Sequence, residues 1–211
     1  FAAYLKRHAT GEQAEILLGK RLVRAAMDPN ALDPEIINCT LNLHPTFAAW
    51  TEAFNKPLSQ RDFHALVRGF RSSVQDADGI LQALRVMSVG KKGEVQSEID
   101  ETGATRLNLV SERVTMAATV QPEFVLLTPV YRGVTGEAGE ELDYPIEILV
   151  NIDVEHFQFA IQAPALELVK EQARKDVAGM LSRELGESFL VGLGDLEIVT
   201  RNVYETEGGS E

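Results

Sequence analysis

Apolar residues repeat along this chain with two different periods, and the change falls near residue 93. Before it the repeat is helical. Phe47, Trp50 and Phe54 recur at i, i+3 and i+7 as one apolar stripe, and Pro45 stands where the first turn of that helix tolerates it. The next helix has the clearest start signal: Ser59 and Asp62 make an acidic variant of the capping box, and Leu58 and Phe63 occupy the staple positions. Phe63, Leu66, Val67, Phe70 and Val74 then trace a single face. A third helix begins near Asp78, turns Ile80, Leu84 and Met87 inward, and is ended by Lys91, Lys92 and Gly93. Upstream, Phe1 to His8 reads as the end of a short helix, and residues 14–27 as two short strands around Gly19. Glu35 to Leu43 alternates cleanly after the turn signals Asp28-Pro29-Asn30 and Asp33-Pro34 and reads as a strand.

From Val95 the period is two. Val95 to Ile99 and Arg106 to Val110 flank Glu101-Thr102-Gly103, a hairpin turn by composition, and the alternation continues through Val114, Met116, Ala118 and Val120. Phe124 to Tyr131 is a further strand, which Pro129 marks as an edge or a bulge. Residues 133–145, with three glycines and four acidic residues, read as a mobile loop. Ile146, Ile148, Val150 and Ile152, then Phe157, Phe159 and Ile161, complete an antiparallel meander spanning Val95 to Ile161. A long helix follows from about Pro164 to Leu185, with Leu166, Val169, Ala173, Val177, Met180 and Leu181 toward the core and Gly186 as its cap. Phe189 to Thr200 is a last strand broken by Gly192 and Gly194, and residues 205–211 are an acidic tail.

The expected fold class is therefore α+β: an antiparallel β-meander with a helical block before it and one long helix after it. A chain of 211 residues suits one domain, 1–211, in four parts: helical and mixed 1–92, β-rich 93–162, helix and strand 163–204, and tail 205–211. No apolar run approaches 18 residues, which excludes a membrane-spanning helix. The chain begins at Phe1, which leads us to expect further residues upstream in the natural protein. The formal net charge of −12 is unevenly placed: residues 1–92 carry +3 and residues 93–211 carry −15. The acidic half would repel nucleic acid phosphates, so no direct nucleic acid contact is expected; it serves solubility or meets a basic partner.

Candidate chemistry is sparse. Cys39, the single cysteine, excludes an intrachain disulfide, and its place between Ile37 and Leu41 reads as a core thiol. His8, His44, His64 and His156 show no metal-ligand spacing with another His, Cys or carboxylate on one element, so no metal and no cofactor is expected. Asp76-Ala77-Asp78-Gly79 resembles the start of a calcium loop but lacks the later ligands, and capping the following helix is the preferred role. Gly192-Leu193-Gly194 has Glu197 where a dinucleotide fingerprint needs its third glycine, and reads as a bulge or tight turn. No nucleophile elbow or phosphate loop occurs, and nothing fixes the spacing of any carboxylate pair, so no catalytic residue is assigned. Lys91 and Lys92 are the candidate anion contact. Between Gly90 and Gly93 they could present two ammonium groups to a phosphate, although a solvated connector explains them more simply.

The block Phe1-Ala-Ala-Tyr4-Leu5-Lys6-Arg7-His8, the Trp50 helix and Pro57-Leu58-Ser59-Gln60-Arg61-Asp62-Phe63 together resemble the YfdQ-like family of bacteriophage and prophage proteins, a domain of unknown function. The resemblance runs over most of the chain, through the helical block and then the β-rich part ending near Gln162. It implies a phage-encoded protein made in the host bacterial cytoplasm, with a further N-terminal segment, and supplies no catalytic residues. The expectation is a non-enzymatic accessory protein that self-assembles as a homo-oligomer and offers an acidic surface to a basic host or phage protein. The alternative is a small-molecule or nucleotide binder of the sponge type using Lys91 and Lys92, and a third reading is an enzyme of unrecognised type.

Overall fold

Two compact units organise the chain in the computed structural model, which describes residues 1–8, 14–27, 35–87, 89–99, 105–116, 122–153, 156–186 and 189–194, the segments 89–99 and 105–116 as backbone only. The class is α+β, as the two periods imply. Read from sequence as one domain, the chain groups by its contacts into two compact units, Phe1–Leu41 with Arg174–Glu211, and Asn42–Ala173.

The first unit holds α1 (Ala2–His8), β1 (Ala14–Leu18), β2 (Leu22–Met27), β3 (Glu35–Thr40), the later turns of α5 (Leu166–Leu185) and β10 (Leu190–Leu193). Its sheet order is β10-β1-β2-β3, antiparallel except for the parallel pair β1 and β10. Alternation buries Ala14, Ile16 and Leu18 of β1 and Val23 and Ala25 of β2 on one face. Leu5, Val177, Leu181 and Leu185 are the buried helical side chains of this unit. The last three recur every fourth residue, and Gly186 ends α5 at φ +86, a conformation that costs glycine little.

The second unit holds α2 (Pro45–Ala53), β4 (Pro57–Ser59), α3 (Gln60–Gly69), a 3-10 turn at Arg71–Ser73, α4 (Ala77–Val86), β5 (Val89–Ile99), β6 (Thr105–Met116), β7 (Glu123–Thr128), β8 (Tyr144–Asp153) and β9 (Gln158–Gln162). Ser59 caps α3 as its sequence signal promises: its Oγ accepts the Asp62 N–H at 3.1 Å and donates to Asp62 Oδ2 at 2.7 Å. Gln60 Nε2 donates to the carbonyls of Leu84 and Met87, satisfying backbone acceptors left open where α4 ends and fastening α3 to α4. Aromatic rings fill the space between helices and sheet: Trp50, Phe63 and Phe159 are fully buried, and Phe124 is 6% exposed. Phe63 lies 5.4 Å from Phe159 and 6.5 Å from Phe124 between ring centroids, and Trp50 meets Phe124 edge-on at 5.7 Å.

Several expectations need correction. The meander from Val95 to Ile161 is two sheets: among the described residues β5 and β6 pair only with each other, while the other sheet has the order β4-β9-β8-β7 and recruits β4 from the helical block. A period of two shows that a segment is a strand but not which strand it joins. The strand foreseen over Glu35 to Leu43 divides, because its halves pair with different partners. Residues up to Thr40 pair with β2, whereas Leu43 bridges Tyr131 and His44 N–H donates to Val130 O. The third helix ends at Val86 with Met87 as its cap residue, so Lys91, Lys92 and Gly93 lie inside β5 instead of forming a connector. Asp76 occupies the N-cap of α4 but makes no side-chain cap; at φ +53 it supplies only its backbone carbonyl, which accepts from Ile80. Gly192 is not a bulge: it sits in register opposite Leu17. Cys39 is half-buried, since β3 is an edge strand. Val74 lies beyond α3, and Phe70 is its half-buried cap residue. Within residues 133–145, foreseen as a loop, Thr135 bridges Glu141 and Gly136 N–H donates to Glu140 O at 2.8 Å, and Tyr144 and Pro145 already belong to β8. Pro129 follows β7, which is indeed an edge. The Glu101-Thr102-Gly103 turn, Ala118, Val120 and the tail 205–211 lie outside the described residues.

Removing the Ser59 hydroxyl leaves the Asp62 N–H without its acceptor, and Ser59→Ala should cost about 1 kcal/mol. Phe63→Ala opens a fully buried site and should cost about 3–5 kcal/mol. Phe70→Ala, at a half-buried position, should cost less than Phe63→Ala. Urea denaturation midpoints decide this ranking; equal losses at Phe63 and Phe70 would contradict it.

Candidate functional site

Two clefts of the second unit are lined by described residues. The first, about 350 Å³, is lined by Gln75, Asp76, Glu123, Phe124, Val125 and Glu147. It forms where the turn entering α4 meets the edge strand: Gln75 N–H donates to Val125 O at 2.9 Å, and Val74 bridges Leu126. Val125 pairs with Glu147 and Glu123 with Leu149, so the two glutamates are diagonal neighbours on the exposed face of β7 and β8. With Asp76 they give the cleft three exposed carboxylates over the edge of an aromatic core. Such a lining favours a cation. Among the described residues its side chains include no hydroxyl, thiol or imidazole to act as a nucleophile with its base.

The second cleft, about 380 Å³, is lined by Asn55, Pro57, Asn151, Ile152, Asp153, Gln158, Phe159 and Ala160. Asn55, at φ +58, ends α2, turns the chain toward β4 and donates its N–H to Ile161 O at 2.9 Å. At the β8–β9 turn the Asp153 carboxylate accepts the His156 N–H at 3.2 Å and pairs with His156 Nδ1 at 2.8 Å. This contact escapes a search for metal-ligand spacing, because it belongs to a turn: a short acceptor side chain three residues before a donor is the only signal in the sequence. The His156 and Asp153 side chains are 69% and 49% exposed, so the pair adds little stability, and among the described residues no nucleophilic side chain lines the cleft beside it. Holding the turn is the role its geometry supports.

The other residues singled out in the sequence are scattered. His8 stacks on Tyr4 with ring centroids 4.4 Å apart in α1, His64 is half-buried on α3, and His44 precedes α2. Among the described residues no three His, Cys, Asp or Glu side chains gather as a metal site, and no described helix is long and apolar enough to cross a membrane. Lys91 and Lys92 stand in β5, opposite Val114 and Arg113 of β6; their side chains are outside the described residues, and the anion contact stays a proposal. Two buried polar atoms, His44 Nδ1 and Trp50 Nε1, have no hydrogen-bond partner in the structure. The chain matches no family model, no curated protein and no solved structure.

The unpaired indole N–H makes Trp50 a test of how polar groups weigh in this core. Trp50→Phe should change stability by no more than about 1–2 kcal/mol, because lost ring area is offset by removing an unsatisfied donor. Trp50→Ala should cost about 3–5 kcal/mol. Thermal and urea denaturation of both variants would show it, and equal losses would mean that the N–H is satisfied in solution. For metals, elemental analysis of the purified protein should find no stoichiometric zinc or iron, and one equivalent per chain would overturn that expectation.

Proposed function

We propose that this chain is a non-enzymatic accessory protein of phage or prophage origin that works in the host bacterial cytoplasm by assembling with copies of itself and presenting an acidic surface to a basic partner. The observation that carries the assembly reading is the placement of exposed apolar side chains. Seven large apolar side chains are exposed among the described residues, and three of them, Ile36, Leu190 and Leu193, lie on the two edge strands of the first unit's sheet. Strand edges offer unpaired backbone groups, and exposed apolar side chains on such strands suit contact with another chain. The phage origin rests on the resemblance of the Phe1–His8 block, the Trp50 helix and the Pro57–Phe63 segment to the YfdQ-like family. The acidic surface rests on the −15 carried by residues 93–211.

Size exclusion with light scattering tests assembly: the expected mass is a multiple of one chain. A single-chain mass at every concentration up to about 100 µM, far above the Kd of a specific protein complex, would overturn it. Absorbance near 260 nm from a co-purified nucleotide, identified by mass spectrometry, would favour the nucleotide-binding alternative instead.

A further inference from the structure

We propose that the outward face of the β10-β1-β2-β3 sheet is a two-fold dimer interface, on which a second copy of this chain packs so that Glu15 of each protomer meets the partner's Arg24. The proposal rests on the assembly reading above and names the surface that would serve it.

The register defines this face. Ala14, Ile16, Leu18, Val23 and Ala25 are buried on one side, so the residues between them belong to the other. There, one row across the sheet reads Leu190, Glu15, Ala26, Ile36, and the next reads Gly192, Leu17, Arg24, Asn38. A solvated sheet face ordinarily carries polar side chains. This one ends its first row in two large apolar residues, Leu190 at 71% and Ile36 at 49% exposure. Its second row is flattened: a Cβ on Gly192 would lie 3.3 Å from Leu17 Cδ2, so the Leu17 side chain spreads over the space that the glycine leaves.

The two charges on this face select the occupant. Glu15 pairs with Ala26 and Leu17 with Arg24, which makes Glu15 and Arg24 diagonal neighbours on adjacent strands. Arg24 Nε donates to Asn38 Oδ1 at 3.3 Å, drawing the guanidinium toward β3, on the side away from Glu15. The face therefore presents one carboxylate and one guanidinium side by side within an apolar surround. A two-fold axis lying in the interface and passing between them sets each against its opposite on the partner. A patch that is neutral and self-complementary suits a second copy better than a strongly basic or acidic ligand. It also adds no local like-charge contact to the repulsion between two chains of net charge −12.

The face is small. Four strands about 4.8 Å apart, and about five residues long at roughly 3.3 Å per residue, span roughly 300 Å². Standard interfaces cover about 800 Å² per partner, so the dimer should be weak and concentration-dependent, with a Kd in the micromolar range.

Sedimentation velocity over about 1–100 µM, a range that brackets such a Kd, provides the test. It should show monomer giving way to dimer in the unaltered protein. Glu15→Arg and Arg24→Glu should each weaken dimerisation about tenfold or more by facing like charges, and the double variant should recover it. Circular dichroism verifies that each variant is folded. Should a charge variant unfold, Leu190→Ser replaces it, since that exposed side chain contributes little to the fold but belongs to the contact. Dimerisation unaffected by the single substitutions, or not recovered in the double variant, places assembly elsewhere and overturns this interface while leaving the assembly reading standing. A monomer throughout the series removes both.

Discussion

The second unit depends on one packing constraint: two helices must cover the sheet through aromatic rings. Trp50 on α2 and Phe63 on α3 reach down, Phe124 on β7 and Phe159 on β9 reach up, and their centroids fall between 5.4 and 6.5 Å. Because Phe124 and Phe159 stand on the strands either side of β8, the rings span the full width of the meander. Each ring contributes a large apolar area and a preferred tilt, so the cluster sets the depth at which the helices lie as well as the stability gained. The polar contacts around it follow from that placement. Gln60 reaches the end of α4 because Phe63, one turn on, holds α3 against the sheet.

The first unit solves its packing differently. Its sheet has one closed face, where Ile16, Leu18 and Val23 are almost wholly buried, and one face that remains half-exposed. Closing one face suffices to order four short strands, but it leaves Leu190 and Ile36 in water. Apolar side chains so placed suit cover by another chain, and the proposed assembly would supply it.

The clefts of the second unit are of another kind. Asp76, Glu123 and Glu147 line one, and the Asp153–His156 turn borders the other. Both offer charge and hydrogen bonding at an open surface. Their linings suit recognition of charge and of hydrogen-bonding groups.

Local signals in the sequence were enough wherever a residue and its partner lie within a few positions. The Ser59 cap, Pro45 at the start of α2, Gly186 at the end of α5, the strands either side of Gly19 and the alternation of Ile146, Ile148 and Val150 all reappear in the structure. Periodicity and capping are properties of nearby residues, and the chain states them directly. Tertiary structure alone decided the pairings between distant segments: β1 with β10, β4 with β9, and the division of the Glu35–Leu43 pattern between two units. An alternating strand reads the same whichever neighbour it joins, so its partner follows from which apolar faces can close together in three dimensions. The candidate surface was hidden for the same reason. Glu15, Arg24, Ile36 and Leu190 are unremarkable residues at wide separations, and only the register of four strands brings them onto one face.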